Sequence, residues 1–289
     1  MTVEKLALGG AQFGMPYGVT NTAGMPKETT LKALLDKARG AGIDLIDTAP
    51  AYGESEAVLG RLGAGEYFGF ITKTLGGGSV PDVDTMVSQV HDSLSRLRQP
   101  AIEGLLFHDA DILSSDAGYA LFDAAHELKD NGLFAKLGVS VYNSDQIDAV
   151  IARFDIDLVQ LPINLLDNRL LVSGALDRLK DRGVEVHARS AFLQGVLLSP
   201  PEDLPAKVAK LRPLVKKFRA RLAELTLSPV EACLGVLLSM NSIDRIVVGV
   251  TSASELTEIL STMDLTVPWD AFRDVAIGDA SLVDPRFWV

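Results

Sequence analysis

The stretch Gly42-Ile43-Asp44-Leu45-Ile46-Asp47-Thr48-Ala49-Pro50-Ala51-Tyr52-Gly53-Glu54-Ser55-Glu56 decides the fold. Ile43, Leu45 and Ile46 make a short apolar run that stops at a carboxylate, Asp47, and a brief loop then delivers Tyr52. Fully buried parallel strands have this form, apolar along their length and polar where they end. The pattern recurs outward in both directions. Strand candidates are Lys5–Leu8, Ile43–Asp47, Phe68–Lys73, Ile102–Leu106, Ala135–Val139, Leu158–Leu161, Val184–Ala188 and Arg245–Val248. Between them the spacing predicts helices, among them Thr29–Gly40, Asp84–Leu97 and Ser114–Lys129, with Gly40 and Gly132 as C-caps.

Strand and helix alternating about eight times predict an α/β fold, a (β/α)8 TIM barrel forming a single domain over residues 1–289. A doubly wound sheet shows the same alternation, so the glycines after the first strand matter. Gly9-Gly10-Ala11-Gln12-Phe13-Gly14 lacks the Gly-x-Gly-x-x-Gly spacing of a dinucleotide-binding turn. Met15 and Pro16 stand where a phosphate loop needs Lys and Ser or Thr. One segment, at about 196–227, breaks the rhythm with Pro200, Pro201, Pro205, Pro213 and the basic run Lys216-Lys217-Phe218-Arg219-Ala220-Arg221. A solvated helix with Lys217 and Arg221 on one face is expected there, ahead of a phosphate-holding excursion over the barrel mouth.

A formal charge of −11 disfavours nucleic acid, whose binding needs cationic surface, and anionic membranes as well. The single cysteine, Cys233, lies in an apolar run and is expected to be a buried thiol. The first residues show no basic-then-apolar leader, and no stretch of about 18 apolar residues occurs. A cytoplasmic protein without a metal site, acting on a small molecule, is expected.

Two further strand candidates close on polar groups. One ends Phe70-Ile71-Thr72-Lys73 and the next ends Leu105-Leu106-Phe107-His108. In a parallel barrel such residues face the active-site mouth. Each has a plain structural use: Asp47 as a helix cap, Tyr52 as a loop aromatic, Lys73 and His108 as solvated strand ends. Together they make better chemical sense. A tyrosine hydroxyl titrates near about 10, and an adjacent ammonium is expected to lower that value. Asp47 pairs with Lys73, Tyr52 protonates the alkoxide formed when hydride reaches a carbonyl, and His108 orients the same oxygen.

The residues from Gly42 to Gly60, with Lys73 in Ile-Thr-Lys and His108 in Leu-Phe-His, resemble the signature of the aldo-keto reductase family. That resemblance implies a (β/α)8 barrel binding NAD(P)H in extended form and reducing an aldehyde, ketone or sugar carbonyl. Its catalytic group maps onto Asp47, Tyr52, Lys73 and His108. Its cofactor contacts map onto Ser140, Gln160 and Asn164 at the nicotinamide end. Ser190 and the segment through Gly195 fall along the pyrophosphate, and Gly249 through Ser252 at the adenosine phosphate. Val141 and Ile163 replace the usual Asn and Tyr of that family. Arg189 replaces a Tyr that stacks on nicotinamide, a place where a guanidinium plane also stacks. Ile259 replaces an adenine-contacting Asn. Glu255 stands where NADP-preferring members carry Arg, and a carboxylate there favours NAD over NADP. Other functions compatible with the residues are an aldolase using Lys73 as a Schiff base, a regulatory or ligand-sensing barrel, and a redox-neutral epimerase with bound NAD. The substrate is set by loops at Met15–Met25, Leu75–Pro81, Asp109–Asp116 and the tail after Pro268. Tail aromatics Trp269, Phe272, Phe287 and Trp288 serve equally as pocket walls or as packing on the barrel's outside.

Overall fold

The strands are β1 (Leu6–Gly9), β2 (Leu45–Asp47), β3 (Gly69–Lys73), β4 (Ile102–Phe107), β5 (Phe134–Ser140), β6 (Leu158–Pro162), β7 (Glu185–Arg189) and β8 (Arg245–Gly249). In the computed structural model, which describes residues 2–76 and 80–288, each pairs in parallel with the next. Leu6 to Gly9 alongside Ile246 to Gly249 close the barrel. Side chains alternate across a strand, so every second residue points inward. Ala7, Leu45, Ile71, Leu106, Leu158 and Val247 form a separate buried cluster, the plug of the barrel. Two residues further along the same strands come Gly9, Asp47, Lys73, His108, Gln160 and Gly249. The period of two thus places one layer of polar or minimal groups directly above an apolar plug.

The longer helices cover the outside: α1 (Glu28–Ala41), α2 (Ser55–Arg61), α3 (Val83–Leu97), α4 (Gly118–Asp130), α5 (Ser144–Ile151), α6 (Ala175–Asp181), α7 (Arg212–Leu225), α8 (Pro229–Leu238) and α9 (Ala253–Leu260). α1 buries Leu31, Leu34, Leu35 and Ala38, a stripe at three- and four-residue spacing. Each such leucine stabilises the fold by roughly 1.5–3 kcal/mol, and Leu34→Ala is the change that opens a cavity there.

Two helix ends correct the sequence reading. α1 runs through Gly40, and the left-handed cap is Gly42, at φ 90°, whose N–H reaches the carbonyls of Ala38 and Arg39. The predicted helix from Ser114 is two pieces, Asp111–Ser114 and α4, the latter ending in the left-handed Gly132 as expected.

The irregular segment folds as short 3-10 turns followed by α7. α7 buries Val215, Phe218 and Leu222, while Lys217 and Arg221 meet Asp274 on one exposed side. Arg219 donates to the Leu198 carbonyl at 2.6 Å. Phe272 packs on Phe218 with ring centroids 5.9 Å apart, and the Trp288 indole donates to the Leu282 carbonyl. Trp269 and Trp288 also pack partly against the hydrophobic core, whereas Phe287 is exposed, and none of these tail aromatics lines the cavity described below. Among the described residues no helix is long and apolar enough to cross a membrane.

Candidate active site

A cavity of about 560 Å³ opens at the C-terminal end of the strands, with Asp47, Tyr52 and His108 on its wall. Lys73 lies just beneath, fully buried, its Nζ donating to Asp47 Oδ1 at 2.6 Å and to the Thr48 carbonyl at 2.9 Å. The same Asp47 oxygen accepts from Gln160 Nε2 at 2.7 Å. Nζ also sits 5.0 Å from the centre of the Tyr52 ring, and the Tyr52 and His108 rings meet edge to face at 6.0 Å. The four residues expected to act together are brought together.

The loop bearing Tyr52 is fixed from below. The Ser55 hydroxyl donates to the Gly10 carbonyl at 2.8 Å and shares a hydrogen bond with Thr48. The buried carboxylate of Glu56 accepts from the Thr72 hydroxyl and pairs with Arg96. Ser55 and Glu56 were quoted in the deciding stretch without a role; each holds the loop in place.

Electrostatics correct one expectation. The Tyr52 hydroxyl lies far above its ordinary value, because burial comes first and the Asp47 charge adds, while Arg189 opposes both. Proximity to Lys73 does not lower it. The ammonium is bonded to Asp47, and that carboxylate acts against Tyr52 ionisation. Tyr52 is a proton-bearing phenol at every physiological pH. Burial pulls Lys73 down against the opposing pull of Asp47. His108 is pushed down to about 4, by burial first and then by the Lys73 charge, so its ring is neutral near pH 7.

Of the remaining expected positions, Ser140, Gln160, Arg189, Ser190, Gly195, Gly249 and Glu255 line the cavity. Ser140, at the end of β5, and Gln160, within β6, are register partners. Gln160 is fully buried, and its Oε1 has no hydrogen-bond partner, an acceptor aimed at a donor the chain does not supply. Asn164 is buried but off the cavity wall, its Oδ1 accepting from the Leu166 and Asp167 amides. Ser252 stands beside the wall, its hydroxyl capping α9 by accepting from the Glu255 amide. The Glu255 carboxylate accepts from the Thr251 amide at 2.7 Å and the Thr251 hydroxyl at 2.8 Å.

The loop after β7 is held in an uncommon shape. Ser190, Leu193, Gln194 and Gly195 all have positive φ, at a cost of order 1–3 kcal/mol for each non-glycine residue. A side chain at Gly195 would run into the Thr20 hydroxyl, which donates to the Gln194 carbonyl at 3.3 Å. Tyr17, Thr20 and Asn21 of the loop after β1 line the same cavity and were not singled out from sequence. They lie in the loop Met15–Met25 expected at the mouth, but an irregular loop carries no periodicity to say which of its residues turn inward. Tyr142, also missed, carries two guanidinium groups against its ring, Arg286 at 3.5 Å and Arg189 at 4.3 Å from the centroid.

An eight-stranded parallel barrel with a buried lysine–aspartate pair, a tyrosine and a histidine at the ends of β2 to β4 defines a narrow class of barrel proteins. The chain belongs to the Aldo/keto reductase family, whose sequence profile matches residues 5–277. It is 29% identical over 203 residues to the aldo-keto reductase YhdN of Bacillus subtilis, covering 66% of this chain and 57% of that protein. It is 26% identical over 192 residues to D-arabinose 1-dehydrogenase of Saccharomyces cerevisiae, covering 59% of this chain and 55% of the relative. The matches thus span little more than half of either relative's length. In fold it is similar to the aldo-keto reductase AKR11C1 from Bacillus halodurans in its holo form. That likeness has a TM-score of 0.77 at 20% identity, covering 95% of this chain and 93% of the other.

Proposed function

We propose that this protein is an oxidoreductase that moves hydride between a nicotinamide cofactor and an aldehyde, ketone or sugar carbonyl. The observation that carries this reading is the proton-bearing Tyr52 beside a neutral His108, over a Lys73–Asp47 pair closed at 2.6 Å. The nicotinamide, when bound, supplies or receives the hydride. Tyr52 holds at its Oη the proton that the substrate oxygen takes up as its carbon is reduced. His108 donates a hydrogen bond that orients that oxygen, and Lys73 with Asp47 fixes the positive charge behind the tyrosine. The unpartnered Gln160 Oε1 and its register partner Ser140 would accept from, and donate to, the carboxamide. Of the residues on the cavity wall, Arg189 would lie against the nicotinamide ring, Ser190 and Gly195 along the pyrophosphate, and Gly249 and Glu255 at the adenosine end. The yeast relative's name supports a sugar among the substrates. A Schiff-base role for Lys73 is disfavoured, because Nζ already serves two acceptors and lies off the cavity wall.

Tyr52→Phe removes a proton donor and no binding contact, so turnover should fall by about 10²–10⁴-fold while coenzyme affinity persists. Near-normal turnover in this variant sinks the mechanism. A cytoplasmic, NAD-preferring enzyme is the finer reading. Glu255 puts a carboxylate on the wall where a 2′-phosphate otherwise sits, a like-charge pair. NADH is expected to bind at least as tightly as NADPH, and Glu255→Arg to shift preference toward NADPH. Fluorescence titration decides, and a wild-type preference for NADPH of more than about tenfold overturns the assignment.

A further inference from the structure

Two cations flank the cavity, and the chain treats them differently. The Lys73 charge is met by Asp47 at 2.6 Å. Arg189, at the end of β7, has no such partner: among the described residues its hydrogen bonds go to the Val141 carbonyl at 3.1 Å and the Ser190 hydroxyl at 3.4 Å. Its guanidinium rests on the Tyr142 ring, and the residue lines the cavity. The neighbouring Arg286, on the same ring, is neutralised by a forked pair with Asp284. Among the described residues Arg189 is therefore a half-buried positive charge in the cavity wall with no carboxylate bonded to it. Its field is felt across that site, since it acts on Tyr52, Lys73 and His108 alike.

The chemistry of the reading above, on which this inference rests, fixes what lies near that charge. The reacting carbonyl oxygen must sit within hydrogen-bond reach of Tyr52 and His108, with the hydride-bearing ring carbon beside it. The orphaned Gln160 Oε1 on β6 draws the carboxamide of the same ring. Pro162, two residues on from Gln160, is the register partner of Arg189. The ring therefore spans the rim between β2 and β6 and has Arg189 as its neighbour. The reduced ring is uncharged, whereas the oxidised ring carries a positive charge. A fixed cation in the wall penalises only the second. Pyrophosphate, ribose and adenine are identical in both forms, so their contacts cancel when the two affinities are compared.

We propose that Arg189 makes this site discriminate between the oxidation states of its nicotinamide, holding the uncharged reduced ring in preference to the cationic oxidised one. The test is binding alone: titration of the purified protein with NADH and with NAD+, repeated with the phosphorylated pair, without carbonyl substrate. The expected dissociation constants favour the reduced form by at least about tenfold. Arg189→Gln should bring the two constants together, chiefly through tighter binding of the oxidised form, and Arg189→Lys should keep them apart. A wild-type ratio below about tenfold overturns the inference, as does a ratio that survives in a folded Arg189→Gln variant. If that variant fails to fold, as judged by its circular dichroism melt, the wild-type ratio decides. Failure of the underlying reading looks different, because then none of the four nucleotides binds and the inference falls with it.

Discussion

The two ends of the barrel use charge in opposite ways. At the N-terminal ends of β4, β5 and β7, Lys136 bridges Glu185 at 2.7 Å and Glu103 at 3.0 Å, and Glu185 also accepts from His187 at 2.7 Å. Arg245 pairs with Asp44 nearby. Among the described residues of this end, His187 Nδ1 is the buried polar atom left without a partner. At the C-terminal ends, Gln160 Oε1 and His108 Nδ1 are buried without partners, Tyr52 is pushed far from its ordinary acidity, and among the described residues Arg189 bonds to no carboxylate. The same strands supply both layers. One end spends its polar groups on each other and adds stability; the other keeps them unsatisfied for a ligand.

Lys73→Met should break this contrast most severely. It leaves Asp47 buried without its cation, and removing one partner of a buried pair costs about 3–5 kcal/mol. Turnover should collapse with it, and thermal melts alongside steady-state rates check both. If stability and rate both hold, the buried pair does not organise the site.

A milder test uses pH. The folded protein holds His108 near 4, below its unfolded value of about 6.5. The unfolded chain therefore binds a proton that the folded chain refuses. Stability should fall as pH drops from 6.5 toward 4, by roughly 3 kcal/mol at pH 4 relative to His108→Gln. At the opposite end Glu185 is held down to about 2, by the His187 hydrogen bond first, against burial, with Lys136 assisting. Its contribution is complete above about 4.3 and is lost only as pH falls toward 2. Denaturant melts across pH 2–7 should therefore show two separate limbs. A wild type that matches His108→Gln throughout removes the first.

The smallest effect belongs to Lys136→Met. Its partners are part-exposed, so the loss should stay within about 0.2–1 kcal/mol, with turnover unchanged. A large drop in rate would couple the two ends.

Much of this was legible in sequence because a barrel writes its site at strand ends. Asp47, Lys73 and His108 each close an apolar run, and period-two alternation sends them inward with no further information. Gln160, inside β6, and Arg189, at the end of β7, were pointed out only by the family resemblance. What escaped depends on loop shape or burial. Gly42 took the αL position expected of Gly40, Tyr142 reaches the cavity from an irregular segment, and within the expected mouth loop Met15–Met25 the individual residues Tyr17 and Thr20 were not distinguished. The direction of the Tyr52 shift was misread because sequence displays a nearby lysine and conceals how deeply the hydroxyl is buried.

Closure of the barrel also constrains how the chain is made. β1 finds one neighbour, β2, early, but its other edge pairs with β8, whose residues Arg245–Gly249 come late in the sequence. Until those residues leave the ribosome, β1 and β7 each present an open row of amides and carbonyls lined with apolar side chains. Such edges template pairing between chains, and contacts this distant in sequence form slowly. Yield during rapid synthesis should therefore depend on temperature and on chaperone supply more than the stability of the finished barrel would suggest.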